Sequence, residues 1–232
     1  MRVLLLGHGR MGKLVEGLAP EYDATITAIV TQRDAERVLG GDTVNNADVA
    51  IDFTLADAVP RNLSLLANHG LNVVIGTTGW AAHEAALRDV VSRSNIGVLV
   101  GANFSLGMNI FQLVVEEAAR RFAAHRSYES WIHEWHHSAK KDAPSGTALQ
   151  LKKGMEGVGY GHRIDVSSTR AGSIPGAHQV GFDGPADTVT LTHTVRDRAV
   201  FARGALEAAK WIVGKRGWFT MRDMLDGRQL GR

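Results

Sequence analysis

A short apolar run, residues 2–6, passes straight into Gly7-His8-Gly9-Arg10-Met11-Gly12, and residues 13–18 continue with helical spacing. Strand, G-x-G-x-x-G, helix is the order that a dinucleotide fingerprint requires. Gly7 permits the tight turn, Gly9 lets the backbone approach a pyrophosphate, and Gly12 lets helix and strand pack closely. The helix start adds unpaired N–H groups and the positive end of a dipole to hold the phosphates. A bare fingerprint is also compatible with an ordinary glycine-rich turn, so the weight falls on the pattern of the next hundred residues.

That pattern alternates. Residues 23–30, 49–53, 71–75 and 96–100 read as continuous apolar strands, and residues 56–69 and 81–92 between them carry helical spacing. The alternation predicts a parallel, doubly wound sheet, which binds its ligand at the carboxyl ends of the strands. The turns at those ends are Thr31-Gln32-Arg33, Asp52-Phe53-Thr54, Gly76-Thr77-Thr78-Gly79 and Gly101-Ala102-Asn103-Phe104. The second strand lacks the carboxylate that ordinarily binds ribose hydroxyls at this point. Arg33 either pairs with a 2′-phosphate or is solvated in the following loop.

A long helix from about 105 to 123 reads as the crossing into a second domain. There the period changes. Over residues 127–136, Tyr128, Ser130, Ile132, Glu134 and His136 share one strand face, and Glu129, Trp131, His133 and Trp135 the other. A helix over about 145–155 comes next, then strands near 164–171, 178–183 and 187–194. With no helices between them, these strands predict a mixed or mostly antiparallel sheet. Residues 199–213 are helical, and residues 221–225 are expected to pack back on the first domain. The fold class is therefore α/β, with a parallel dinucleotide-binding domain over residues 1–105, completed by about 199–232. A central α+β domain spans residues 106–198.

At 232 residues and 44% hydrophobic, the chain can bury a substantial core. No apolar run approaches the ~20 residues of a membrane helix, and the opening run is too short for a signal peptide. Zero cysteines suit a reducing cytoplasm. A net charge of +2 without a Lys/Arg-rich run gives no nucleic-acid footprint.

The densest chemistry lies in residues 131–149. Glu134-Trp135-His136-His137-Ser138-Ala139-Lys140-Lys141-Asp142-Ala143-Pro144-Ser145-Gly146-Thr147-Ala148 matches the signature E-x-H-H-x-x-K-x-D-A-P-S-G-T-A. On it the chain resembles the 4-hydroxy-tetrahydrodipicolinate reductase (dihydrodipicolinate reductase) family of lysine and diaminopimelate biosynthesis. Gly7 to Gly12, Asp52-Phe53-Thr54, the Gly76 turn, residues 102–109, Arg170-Ala171-Gly172 and Thr192-His193 extend the likeness over nearly the whole chain. The resemblance implies a Rossmann domain, a substrate and oligomerisation domain, a homotetramer, a dicarboxylate substrate, and NADH or NADPH as cofactor. It implies His136 as general acid and Lys140 as catalytic lysine, with His137, Gly146 and Thr147 at the substrate. Cofactor contacts fall to Gly7, His8, Gly9, Arg10, Met11, Gly12, Gly76, Thr77, Thr78, Gly101, Ala102, Asn103 and Phe104, with Thr31, Gln32 and Arg33 bearing on cofactor choice. Three departures from the family pattern stand out: Trp135 replaces a usual Ala, Thr31 and Gln32 replace an acid and an arginine, and Ala177 replaces a usual Glu.

The residue chemistry agrees with that assignment. Histidine titrates near neutrality and can donate a proton at working pH. His136 shares its face with Glu134, which can orient it, whereas two adjacent histidines on opposite faces leave a structural role open for at least one. Lys140 offers a compact positive charge to a carboxylate and to charge developing in the transition state, while Lys141 is expected to be solvated. Asp142 before Ala143-Pro144 reads as a helix N-cap, leaving the Gly146 and Thr147 N–H groups for a second carboxylate. No metal is expected, since the clustered histidines alternate in face and no H-E-x-x-H helix occurs. The second strand's end predicts dual cofactor use or a lean to NADPH.

Overall fold

The computed structural model describes residues 1–227. The chain divides into two units, Met1–Leu106 joined by the segment from Ala199 onward, and Gly107–Arg198.

In the first unit the elements run β1 (Arg2–Leu6), α1 (Arg10–Leu18), β2 (Thr25–Val30), α2 (Ala35–Leu39), β3 (Val49–Asp52), α3 (Val59–Asn68), β4 (Asn72–Ile75), α4 (Glu84–Arg93) and β5 (Gly97–Val100). Three later elements complete it, α7 (Ala199–Ile212), β10 (Gly217–Thr220) and α8 (Met221–Gly227). The strands lie in the order β10-β5-β4-β3-β1-β2, all parallel. They are apolar without interruption because both faces are covered. Leu4, Leu6, Ala50, Val73 and Ile75 point to a layer with Val38, Leu63, Leu66 and Val91. Their neighbours Val3, Leu5, Val49, Ile51 and Val74 point the opposite way, onto Val15 of α1 and Ala205, Leu206 and Ile212 of α7. Each large aliphatic so buried contributes about 1.5–3 kcal/mol.

The second unit holds most of α5 (Leu106–Phe122), then β6 (Glu129–His136), α6 (Gly146–Gly157), β7 (Ile164–Arg170), β8 (Ala177–Asp183) and β9 (Thr188–Thr194). Its sheet has the order β7-β6-β8-β9, parallel between β6 and β7 and antiparallel elsewhere. On the inner face Ile132, Val180 and Phe182 pack with Phe111 and Val115 of α5 and Leu151 and Met155 of α6. Trp131, His133 and Trp135 stand partly exposed on the other face. One inner row is polar: Ser168, Glu134, His178 and His193 are register neighbours across all four strands.

The chain then returns to the first unit as α7, β10 and α8 (Met221–Gly227). The buried amide of Asn72 secures this return, donating to the Ile212 carbonyl at 2.6 Å and accepting from Gly97 N–H at 2.8 Å. Met221 and Met224 enter the core beside α7. Four elements differ from the pattern reading. α2 and β10, of five and four residues, are too short to show a period. The helices expected from 56 and 81 each open with a 3-10 turn, Ala56–Ala58 and Ala81–His83.

Candidate active site

The chain reverses sheet direction between β2 and β3, so β1 and β3 flank a topological switch point, where open α/β sheets bind ligands. Here the three glycines of the fingerprint divide the work. Gly7 has φ +88° and lies so close to the Phe53 carbonyl that a Cβ would overlap it, and a Cβ on Gly12 would overlap the Gly7 carbonyl. Gly9, the residue before α1, has no atom within 4 Å of the place a Cβ would take, and no side chain caps the helix. A cavity of about 630 Å³ opens at this point, lined by Gly7, His8, Gly9, Thr31, Gln32, Phe53, Leu55 and Arg61 among others. Open space at Gly9 beside free helix N–H groups is what a pyrophosphate needs, so the residues present fit a dinucleotide.

One buried carboxylate shapes two of the neighbouring turns. Asp52, 2% exposed, accepts from Thr54 N–H at 2.8 Å, Thr54 Oγ1 at 2.6 Å, Asn62 Nδ2 at 3.2 Å and Thr77 Oγ1 at 2.9 Å. Gly76 is required because a side chain there would overlap the Phe53 ring, which meets Phe104 edge-on at 6.2 Å. The turn at Gly101 to Phe104 rests on α7, where a Cβ at Gly204 would overlap the Phe104 carbonyl. Thr78 and Ala102 are exposed on these turns, and Asn103 Oδ1 accepts from Ser105 N–H at 2.9 Å. Arg10 and Arg33 are exposed and do not line the cavity, and Met11 packs toward the α1–α7 core.

In the second unit the chemistry gathers around Glu134, whose side chain is fully buried. It accepts two bonds from the Arg170 guanidinium, at 2.7 and 2.9 Å, one from Ser145 N–H at 3.1 Å, and one from His136 Nδ1. Burial alone would raise its pKa, but the bonds from Arg170, His136 and Ser145 outweigh that and hold the carboxyl at about 2. A carboxylate only accepts, so Nδ1 of His136 carries the proton in this bond and Nε2 is the nitrogen left for a ligand. Gly176 keeps that nitrogen accessible: a Cβ there would sit 3.1 Å from it. The His136 pKa lies below its ordinary value because burial, and then Lys140 and Arg170, outweigh the upward pull of Glu134.

Lys140 Nζ donates to both carboxylate oxygens of Asp142, at 2.7 and 2.9 Å. That bond, supported by the Gly146 N–H, holds the Asp142 carboxyl below its usual range. Asp142 is therefore not the cap that the sequence pattern suggested. Ser145 is: it precedes α6 in extended conformation and its Oγ accepts from Ala148 N–H at 3.2 Å. The peptide bond between Ala143 and Pro144, just before this cap, is cis. Gly146 then opens α6 with clear space around it, and Thr147 comes next, half-buried. His137 and Lys141 sit at the surface, half-buried and exposed respectively.

Three residues of this network were not singled out from the sequence as site residues: Arg170, Ser145 and His178. His178 is 4% exposed, its Nε2 lies 3.2 Å from Ser145 Oγ, and its ring meets that of His136 at 5.3 Å. Burial, then the nearby His136, bring its pKa down to about 4, so it is neutral at pH 7. Arg170 opens the Arg-Ala-Gly segment that the family pattern shares, and that was the available signal. His178 closes the Gly176-Ala177-His178 segment, which the resemblance sets against a usual Gly-Glu-His, and that was its signal.

The chain matches two family models, "Dihydrodipicolinate reductase, N-terminus" over residues 1–104 and "Dihydrodipicolinate reductase, C-terminus" over residues 107–225. A 4-hydroxy-tetrahydrodipicolinate reductase of Christiangramia forsetii is 33% identical over 97% of this chain and 98% of its own length. One of Archaeoglobus fulgidus is 37% identical over 97% of this chain and 100% of its own. Among solved structures, a dipicolinate-bound dihydrodipicolinate reductase from Paenisporosarcina sp. TG-14 superposes with a TM-score of 0.82 at 21% identity, covering 95% of this chain and 97% of that one.

Proposed function

Because the chain belongs to the dihydrodipicolinate reductase family, we propose that it reduces 4-hydroxy-tetrahydrodipicolinate to tetrahydrodipicolinate with NAD(P)H, in lysine and diaminopimelate biosynthesis. The observation that carries the chemistry is the buried Glu134 carboxylate, which joins His136, Arg170 and the start of α6 in one network. Loss of the 4-hydroxyl as water gives a conjugated cyclic imine with two carboxylates. A bound nicotinamide supplies a hydride to an electron-poor carbon of that system. The enamine so formed takes its proton from His136 Nε2, held in orientation by the bond from Nδ1 to Glu134. Lys140 neutralises one substrate carboxylate and the charge that grows in the transition state. The N–H groups of Gly146 and Thr147, with the Thr147 hydroxyl and His137, hold the other.

In this reading the first unit is the cofactor domain, with Gly7, Gly9, Gly12, Thr77 and the Gly101 to Phe104 turn around the dinucleotide. Both NADH and NADPH serve, with a lean to NADPH, since Thr31 stands where a ribose-binding carboxylate would exclude a 2′-phosphate. The nearby Asp34 is engaged with Thr31 N–H and Oγ1, at 2.7 and 2.9 Å. The second unit is the substrate domain. Its partly exposed face of Trp131, His133 and Trp135 suits contact with further copies in a cytoplasmic homotetramer. The test is oxidation of NADPH or NADH, followed at the nicotinamide absorbance, with freshly made substrate. No turnover at micromolar protein refutes the function, and loss of cofactor affinity equal to the loss of turnover in His136→Gln or Lys140→Ala refutes the assigned roles.

A further inference from the structure

The end of β2 leaves a question of charge: a 2′-phosphate needs a cation, and neither Arg10 nor Arg33 lines the nucleotide cavity. The lining holds one permanently cationic side chain among the described residues, Arg61, in the first turn of α3. It is exposed, and among the described residues it makes no ion pair. Its wall continues through Leu55, a large apolar side chain left 65% exposed at the mouth of the same cavity. The lining also includes Thr31 and Gln32, which bring no charge. His8 also lines the cavity, but its Nε2 is engaged with Glu16 at 2.7 Å.

We propose that Arg61 is the residue that recognises the adenosine 2′-phosphate, so that discrimination of NADPH from NADH sits on α3 rather than on the loop after β2. A guanidinium presents a fork of N–H donors to phosphate oxygens, and such charge-assisted pairs are about twice as strong as neutral hydrogen bonds. The second half of the device is Asp57, the one carboxylate in the lining among the described residues, less than two turns before Arg61. It opposes a 2′-phosphate, and so keeps the preference moderate and NADH usable. Thr31 and Gln32 complete the pattern by presenting neither an acid to repel the phosphate nor a cation to bind it.

This rests on the proposed use of NADPH as well as NADH, and the experiment separates the two. Dissociation constants for NADPH, NADH, 2′,5′-ADP and 5′-AMP are measured by titration calorimetry on the intact wild-type chain, Arg61→Gln, Arg61→Lys, Asp57→Asn and Arg33→Gln. Each variant is checked for an unchanged melting temperature, which its exposed position favours. In Arg61→Gln, NADPH and 2′,5′-ADP weaken roughly 10- to 100-fold while NADH and 5′-AMP hold. Arg61→Lys falls between, Asp57→Asn tightens NADPH, and Arg33→Gln changes neither cofactor. Wild-type protein that binds 2′,5′-ADP no better than 5′-AMP overturns the NADPH reading and this proposal with it. Wild-type discrimination that survives in Arg61→Gln, or is lost in Arg33→Gln instead, overturns this proposal alone.

Discussion

Replacing Glu134 by Gln tests whether one buried carboxylate both stabilises the substrate unit and sets its proton donor. The substitution keeps shape and one acceptor but removes the charge. Arg170, whose side chain is 17% exposed, then loses its ionic partner and keeps neutral acceptors: the retained amide oxygen, and the Asp142 and Thr169 carbonyls at 2.5 and 2.9 Å. Breaking a buried pair from one side costs about 3–5 kcal/mol, and these remaining acceptors place the loss near the lower figure. Linkage gives the same size: a carboxyl held at about 2 against an ordinary 4.5 contributes about 3 kcal/mol. The folded pKa is depressed, so this stability is complete above pH 4.5 and drains away as pH falls toward 2. Thermal melts from pH 3 to 8 should show the variant roughly 10 °C lower above pH 5, with the gap closing in acid. The second readout is kinetic. Glu134 pulls the His136 pKa upward against burial, Lys140 and Arg170, so without it the alkaline fall of kcat should move to lower pH. A stability gap that is flat from pH 3 to 8, or a kcat profile that does not move, refutes the reasoning.

Three further substitutions probe other joints. Gly12→Ala drives a methyl into the Gly7 carbonyl, a backbone atom that cannot swing aside; stability should fall by at least about 2 kcal/mol, and NADH and NADPH affinity should fall together in a fluorescence titration. Ser145→Ala removes the α6 cap and the partner of His178 Nε2, costing about 1 kcal/mol for the cap and a similar amount for the stranded imidazole, read as a shift in the urea midpoint. Asp142→Asn frees Lys140 from its internal carboxylate. The KM for substrate should fall roughly two- to fivefold, the worth of an exposed ion pair, in steady-state assays at saturating cofactor.

The first unit was legible because its strands are buried on both faces and its glycines sit where backbone meets backbone. Both properties leave a local mark in the sequence, an unbroken apolar run or a glycine, even where the partner, such as Phe53 or α7, is distant. What escaped was short or locally ambiguous: β10 has four residues and gains meaning only beside β5, and α6 is capped by Ser145, where Asp142 and Pro144 made an equally good local cap. The polar row was half legible. Alternation placed Glu134 and His136 on one face, but period cannot show that β7 brings Arg170 to them. Two departures from the family pattern became one in the fold. Trp135 and Ala177 are register neighbours on β6 and β8, so a large side chain stands opposite a small one. Pairing across a ladder cannot be seen along a single strand.

Substrate binding on this unit depends on how its charges are already paired. Glu134 is saturated: its bonds to Arg170, Ser145 and His136 leave it nothing to exchange, so it serves as frame. Lys140 is different, because its partner Asp142 is 57% exposed and their bond is worth only a fraction of a kcal/mol to about 1 kcal/mol. The Asp142 carboxylate bonds to Lys140 and is supported by the Gly146 N–H, two of the groups proposed for substrate carboxylates. In the proposed reaction an incoming dicarboxylate therefore meets Lys140 already paired rather than bare. It exchanges one weak carboxylate contact for a stronger one, while the buried frame that fixes His136 stays as it was.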